Sequence, residues 1–270
     1  MFSILILTLN EEINIKDCIN SVTWCDDIVV LDSLSNDNTI KIAKENGARI
    51  IHRKFDDFSS HRNFAINEID FKNKWVFHLD ADERFNDELK TECFKKIEND
   101  NKSAYFVPNK IYFYGKWIKH CTQYPYPQVR LIKLGEFYFE KSGHGQKEGY
   151  AEKGIGNIDI PYDHFNFSKG IEDWFNKHNK YSSEEAKTYL KKNSLNNKNS
   201  VTSGNKSIKR KRKLKKIFNK MPFKPLLKFL YLYVIKFGFL DGVAGLRYCI
   251  LQGIYAYMIE LKIKELGKSS

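Results

Sequence analysis

Several familiar signatures are missing from this chain. Its five cysteines (Cys18, Cys25, Cys93, Cys121 and Cys249) are odd in number, widely spaced and without a C-x-x-C pair, so neither a zinc site nor a disulfide framework is indicated. No internal repeat is visible. The apolar start, Phe2 to Leu9, lacks a basic flank and runs straight into Asn10, Glu11 and Glu12, so it reads as a buried strand rather than a signal peptide, and a reducing, cytoplasmic setting is expected. Acidic residues are absent from Ala186 to Leu240, a stretch holding sixteen Lys and Arg. The net charge is +12, so the rest of the chain carries about −4. A basic body with a groove for nucleic acid is therefore not expected. What remains is an ordinary globular composition over 270 residues, 42% hydrophobic and rich in Phe and Tyr.

The first hundred residues alternate strand and helix. Ser3–Thr8 is a continuous apolar run of the kind found in parallel strands buried on both faces, and Asp27–Asp32, the short Ala48–His52 and Trp75–Leu79 read as three further strands. Helical segments are expected over Ile13–Val22, Ser35–Asn46 and Ser59–Glu68. Ser35, Asn36 and Asp37 can cap the second of these, and Gly47 suits the left-handed position after it. The pattern argues an α/β doubly wound sheet, with ligands beyond the carboxyl ends of the strands. From Ser103 to Phe165 aromatic-rich strands take over, including Tyr105–Pro108, Ile111–Tyr114 and Val129–Leu134. Ser168–Lys192 returns to helix, and Asn193–Ser207 reads as a linker.

The most informative stretch is Phe77 to Glu83. Side chains two apart on an extended segment point the same way, so Asp80 and Asp82 converge at the end of a buried strand. Such a pair suits a hard divalent cation, Mg²⁺ or Mn²⁺, with positions left for phosphate oxygens. The plainer alternative is an acidic turn in which Asp82 or Asn86 caps the next helix. Two further polar clusters, Thr8–Glu12 and Asp32–Ser33, also terminate apolar strands.

With these residues in hand, the chain resembles the inverting family 2 glycosyltransferases of the GT-A fold, and bacterial lipopolysaccharide core and surface-glycan members in particular. The resemblance rests on Thr8–Glu12, Trp24–Ser33, Asp57–Asn63, Trp75–Arg84, Phe239–Gly242 and Gly245–Leu246, in that order along the chain. It implies a Rossmann-like, mostly parallel central sheet flanked by helices (residues 1–192); the linker 193–207 and the basic, amphipathic helical region over 208–270 are read from the composition of those stretches. The resemblance also implies roles. Thr8, Asn10 and Glu11 would line a nucleoside pocket, Asp32 would accept from base or ribose, and Arg62 would steady the base or diphosphate. Asp80 would hold nucleotide and, with Asp82, metal. The donor would be a nucleotide sugar, typically of uridine, and the acceptor a lipid-linked oligosaccharide.

An inverting displacement needs one general base. Members of the family often place His-Glu where this chain reads Gly143 to Glu148, but Gly145 follows the histidine here. Glu148 is then the first choice of base and His144 the second. Asp163–His164 is a further site, with His164 as a third metal contact. Among the aromatics, Trp117 is the one expected to touch acceptor.

The C-terminal region is apolar but broken by Lys224, Lys228 and Lys236, and Val243–Ile259 carries one charge, Arg247. Seventeen helical residues span about 25 Å, short of the roughly 30 Å hydrocarbon layer. Interfacial helices are the expectation, with the Lys209–Lys216 run adding attraction to anionic lipid and the chain peripheral on the cytoplasmic face of the inner membrane. The competing uses of these helices are packing on the body or a homodimer contact. Two other functional classes stay open at this point: a metal-dependent nucleotidyltransferase, which usually needs a Gly-rich phosphate loop that this first strand lacks, and a non-enzymatic membrane-surface protein.

Overall fold

The computed structural model describes residues 1–122, 124–142, 145–195 and 223–268. Two compact units emerge: Met1–Trp117 with 123–169, and Ile118–Thr122 with 170–270.

The first unit opens with β1 (Ser3–Thr8), α1 (Ile15–Asn20), β2 (Ile28–Asp32), α2 (Thr39–Glu45), β3 (Arg49–His52), α3 (Phe58–Glu68) and β4 (Trp75–Asp80). The short β5 (Glu83–Arg84), α4 (Asp87–Asn99), β6 (Ala104–Val107), β7 (Asn109–Phe113), β8 (Lys116–Trp117) and β9 (Gln128–Lys133) follow. The unit closes with β10 (Phe137–Ser142), β11 (Gly145–Ala151), β12 (Ile155–Asn157) and β13 (Tyr162–His164). The expected strand–helix alternation is present; α1 and α2 are shorter at both ends than the sequence pattern suggested, and α3 begins one residue earlier, at Phe58.

A seven-stranded sheet runs β12-β6-β9-β4-β1-β2-β3. Only β9 runs against its neighbours β4 and β6; the other pairings are parallel. The central strands β1, β2 and β4 read as apolar runs because both of their faces are covered. Ile4, Ile6, Phe77 and Leu79 face one core with α1 and α4, whereas Leu5, Val29, Leu31 and Val76 face the other with Ala65 from α3 and Ile69 just after it. The chain leaves β1 for β2 and β3, then returns to place β4 on the other side of β1. The strand order therefore reverses between β1 and β4, the point where such sheets bind ligands.

Local chemistry sets the helix ends. Asp57 caps α3 by accepting from Ser60 N at 2.9 Å, and Asn86 caps α4 by accepting from Leu89 N at 2.9 Å. For α2 the cap position is Asn38, without a side-chain bond; Asp37, one residue earlier, accepts from Thr39 N instead. Gly47 follows α2 at φ 84°, as its sequence position predicted.

A second sheet, β5-β13-β7-β8, begins at Glu83, with two residues separating β5 from the end of β4. Its antiparallel register sets His164 opposite Glu83 and Asp163 opposite Arg84. The β10–β11 hairpin packs on α3 through Phe137, Phe139 and Ile66.

In the second unit, α5 (Gly170–Leu195) is followed by α6 (Lys224–Leu230), a wide π turn (Tyr231–Ile235), a 3-10 turn (Gly238–Asp241) and α7 (Gly242–Lys268). Sequence grouped α5 with the N-terminal domain and began the linker at Asn193; by contacts α5 belongs to the second unit, and its helix continues to Leu195. Residues 196–207 and the Lys209–Lys216 run lie outside the described residues. Buried Asp241 accepts from the backbone N–H groups of Lys119, His120 and Cys121 and from His120 Nδ1, so it anchors Ile118–Thr122 to this unit. Gly245 is obligatory, because a Cβ there would lie 2.2 Å from the Gly238 carbonyl oxygen. The Phe239–Leu246 motif is thus a folding device within this unit.

Candidate active site

The carboxyl end of β4 carries a dense ionic cluster. Asp80 Oδ1 accepts from Arg62 Nη2 at 2.9 Å and Asp80 Oδ2 from Arg130 Nη2 at 3.1 Å. Arg130, almost wholly buried, also donates to Glu83 Oε1, to Tyr162 Oη at 3.0 Å and to the His78 carbonyl oxygen. Glu83 accepts from the Asp80 backbone N–H at 2.9 Å, which closes the turn between β4 and β5. Asp82 then meets His164, Oδ2 to Nε2 at 3.4 Å.

Charge state follows from this packing. Burial alone would raise Asp80, but Arg130 and Arg62 outweigh it and hold the carboxyl well below the usual range. Burial pushes Glu83 up to about 7 despite Arg130. Burial would lower His164, yet Asp82, followed by Glu83 and Asp80, raises it to about 9. The His164 imidazole is therefore favoured in its protonated, cationic form beside Asp82.

The donor set around that proton fits a hard divalent ion in part. Asp82 and His164 offer one carboxylate and one imidazole nitrogen at a separation that two ligands of one ion adopt. Asp80 has both oxygens engaged by guanidinium groups, so it anchors the cluster rather than offering an open ligand. Among the described residues no group of three or more His, Cys, Asp or Glu side chains forms a complete metal site. A bound ion would draw its remaining ligands from substrate oxygens and water. The capping alternative for Asp82 does not hold, since Asn86 performs that task.

The other expected residues also gather at this end of the sheet. Thr8 Oγ1 donates to Asp32 Oδ1 at 3.1 Å. Asp32 is fully buried and also accepts from Ser35 N, Ser35 Oγ and His52 Nδ1. Its carboxylate ties the β2–α2 loop to the carboxyl end of the sheet. Asn10, at φ 55°, accepts from Asn36 N, and its own N–H bonds Ser35 Oγ, so the two loops flanking the switch point are knitted together. Glu11 pairs with Lys169 and accepts from Asn14 Nδ2; burial raises its carboxyl above the ordinary value. Arg62 is buried, and two of its guanidinium nitrogens, Nε and Nη1, lack a hydrogen-bond partner.

Glu148 lies instead on β11 of the hairpin, exposed and opposite Phe139 in register. Trp117 sits on β8, with Lys110 Nζ 5.3 Å above its ring and Tyr124 edge-on. His144 is outside the described residues. Sequence reasoning missed Arg130, Glu83, Tyr162 and Lys169. Arg130 did leave one signal: a charge inside the apolar run Val129–Ile132.

The sequence profile of glycosyl transferase family 2 matches residues 3–218, about four-fifths of the chain. The chain belongs to this family. The sheet with its single reversed strand is accordingly the GT-A arrangement that the sequence resemblance implied. An uncharacterized glycosyltransferase of Rickettsia typhi is 30% identical over 204 residues, covering 70% of this chain and 68% of that protein. The lipopolysaccharide core biosynthesis glycosyltransferase LpsC of Rhizobium meliloti is 26% identical over 269 residues, covering 97% and 91% respectively. Among solved structures, glucosyl-3-phosphoglycerate synthase from Mycobacterium tuberculosis, in complex with Mn²⁺, UDP and glucosyl-3-phosphoglycerate, has a TM-score of 0.46 at 15% identity, covering 62% of this chain and 72% of that one. S. aureus TarS 1–349 in complex with UDP-GlcNAc has a TM-score of 0.45 at 16% identity, covering 68% and 66%.

Proposed function

We propose that this family 2 glycosyltransferase moves a sugar from a nucleoside diphosphate donor, with uridine the expected base, onto a lipid-linked glycan of a bacterial surface polysaccharide, with inversion at the anomeric carbon. The observation that carries the reading is the Asp82–His164 pair beside the double-arginine clamp on Asp80, at the switch point of the sheet. A diphosphate leaving group builds negative charge as the glycosidic bond breaks, and this is where the fold concentrates cationic partners. When bound, Mg²⁺ or Mn²⁺ held by Asp82 and His164 would offset that charge. The chain's own residues would position the donor. Thr8, Asn10 and Glu11 shape the loops at the nucleoside end, and Arg62 and Arg130 keep Asp80 fixed.

Two arguments support the acceptor class: the near full-length similarity to LpsC, named for lipopolysaccharide core biosynthesis, and the basic C-terminal stretch suited to a membrane-bound substrate. A working site on the cytoplasmic face of the inner membrane is part of this proposal. Glu148 is proposed as the base that takes the acceptor hydroxyl proton, with His144 second and Trp117 as an acceptor contact. The nucleotidyltransferase and non-enzymatic alternatives are set aside with the family.

The test is a thermal-shift panel of nucleotide sugars with Mn²⁺ or Mg²⁺, followed by transfer assays on Asp82→Ala. One donor should raise the melting temperature, because it binds only the folded state. Asp82→Ala should melt like the parent yet lose transfer. Full activity of Asp82→Ala, or of the parent in chelator, would refute the metal role.

A further inference from the structure

The second unit carries an apolar surface that the transfer reaction does not use. No single described helix is long and apolar enough to cross a membrane, but α6 and α7 form a pair bent by 74° at the break between them. The bend turns its hydrophobic side chains outward. Ile235 is 64% exposed, Phe237 55%, Leu240 57% and Val243 65%, and Phe223, Leu226, Leu230 and Val234 extend the patch along α6. On α7, Ile250, Ile254, Tyr257 and Leu261 recur at spacings of four, three and four, a single stripe on the helix, and all four are exposed. Pro225, Phe229 and Gly253 join Ile250, Ile254 and Tyr257 in an apolar groove between the two helices. So many exposed apolar side chains on one pair of helices mark a docking surface rather than scattered exposure.

We propose that this elbow is a membrane wedge that inserts into the headgroup region of an anionic phospholipid bilayer, apolar residues down and lysines outward. Charge selects that occupant. Lys224 and Lys236 flank the exposed apolar residues from Leu226 to Ile235, with Lys228 between them partly buried and the pKa of its ammonium lowered by that burial. The one acidic residue from 223 to 259 is Asp241, and it is buried against residues 119–121. A second copy of the chain on this face would bring lysine against lysine, within a stretch carrying sixteen basic and no acidic residues between Ala186 and Leu240. Phosphodiester headgroups offer the opposite charge, while the acyl boundary accepts Phe237, Leu240 and Val243. Tyr231 and Tyr257, each about half exposed, suit the headgroup level.

The experiment is co-sedimentation of the full chain with vesicles of phosphatidylcholine alone and with vesicles that also contain phosphatidylglycerol. Binding is expected to the anionic vesicles and to weaken with salt. The paired substitution Ile235→Asp with Phe237→Asp should weaken partition roughly a hundredfold, about tenfold for each inserted side chain lost. Its melting curve should be unchanged, because both side chains are exposed. Lys224→Glu with Lys228→Glu, at positions on α6 itself, should reduce the salt dependence. Three results would overturn the proposal: no sedimentation with either vesicle, undiminished binding by the Ile235/Phe237 variant, or a lipid-free dimer that the same variant dissociates. The last would make the face a self-interface. Nucleotide-sugar binding should be unaffected by the Ile235/Phe237 variant, so failure here is distinct from failure of the transfer reading.

Discussion

Arg130→Met is the most revealing perturbation. Methionine fills much of the arginine stem but removes every donor at the centre of the cluster. Glu83 loses its ion pair, Asp80 keeps Arg62 alone, and Tyr162 Oη and the His78 carbonyl each lose a donor. Removing one partner from a buried ionic group costs about 3–5 kcal/mol, chiefly through the charge left behind. The cost should depend on pH in a defined direction. Burial already raises Glu83 to about 7, against 4.5 for the free side chain. A carboxyl raised in the folded state stabilises least at high pH. Below pH 7 the lone Glu83 simply keeps its proton; above pH 7 the Arg130→Met penalty should therefore grow by up to about 1.4 kcal/mol per pH unit. Urea unfolding at several pH values, read through hydrogen exchange of β4 and β9 amides, reports this locally. In a Glu83→Gln background the same substitution should cost about 2 kcal/mol less, a direct coupling measurement. A penalty under about 1 kcal/mol, or one unchanged in that background, would show that the cluster is not the interdependent unit described above.

Two further outcomes follow from titration. Burial, followed by Arg53, lowers His61 to about 4, and burial holds His78 well below its ordinary value. Both bases avoid charge in the fold, so stability should fall as pH drops below about 6.5, by up to about 1.4 kcal/mol per pH unit for each. His61→Asn should flatten that acid limb by one proton in urea titrations, and an unchanged slope would contradict the assignment. At the active site, His164 carries a proton up to about pH 9. Because a metal must displace that proton, Mn²⁺ affinity should rise about tenfold per pH unit between pH 7 and 9 in the parent. Calorimetric titration showing a flat profile there would remove His164 from the ligand set.

The central strands β1, β2 and β4 were readable because burial on both faces leaves apolar runs, and the turn residues at their carboxyl ends stand out against such runs. Asp80 and Asp82 were visible for that reason. Which of two adjacent polar residues caps a helix was not visible: Asn86 takes the Leu89 N–H, and this leaves Asp82 to meet His164. Asp32 was singled out correctly as a strand-end carboxylate, but its four internal donors are local details of a loop that no spacing rule predicts.

Periodicity along the chain by itself determined the alternating α/β order, the strand ends that carry polar side chains and the concentration of positive charge near the C-terminus, because each is a property of neighbouring residues. Tertiary structure alone decided that Arg130, fifty residues from Asp80, completes the clamp, and that β13 lies against β5 so that His164 reaches Asp82. It also decided that the break between α6 and α7 turns apolar side chains outward. Contacts between distant segments depend on strand register and on the angle at which elements meet, and neither is written in any local stretch of residues.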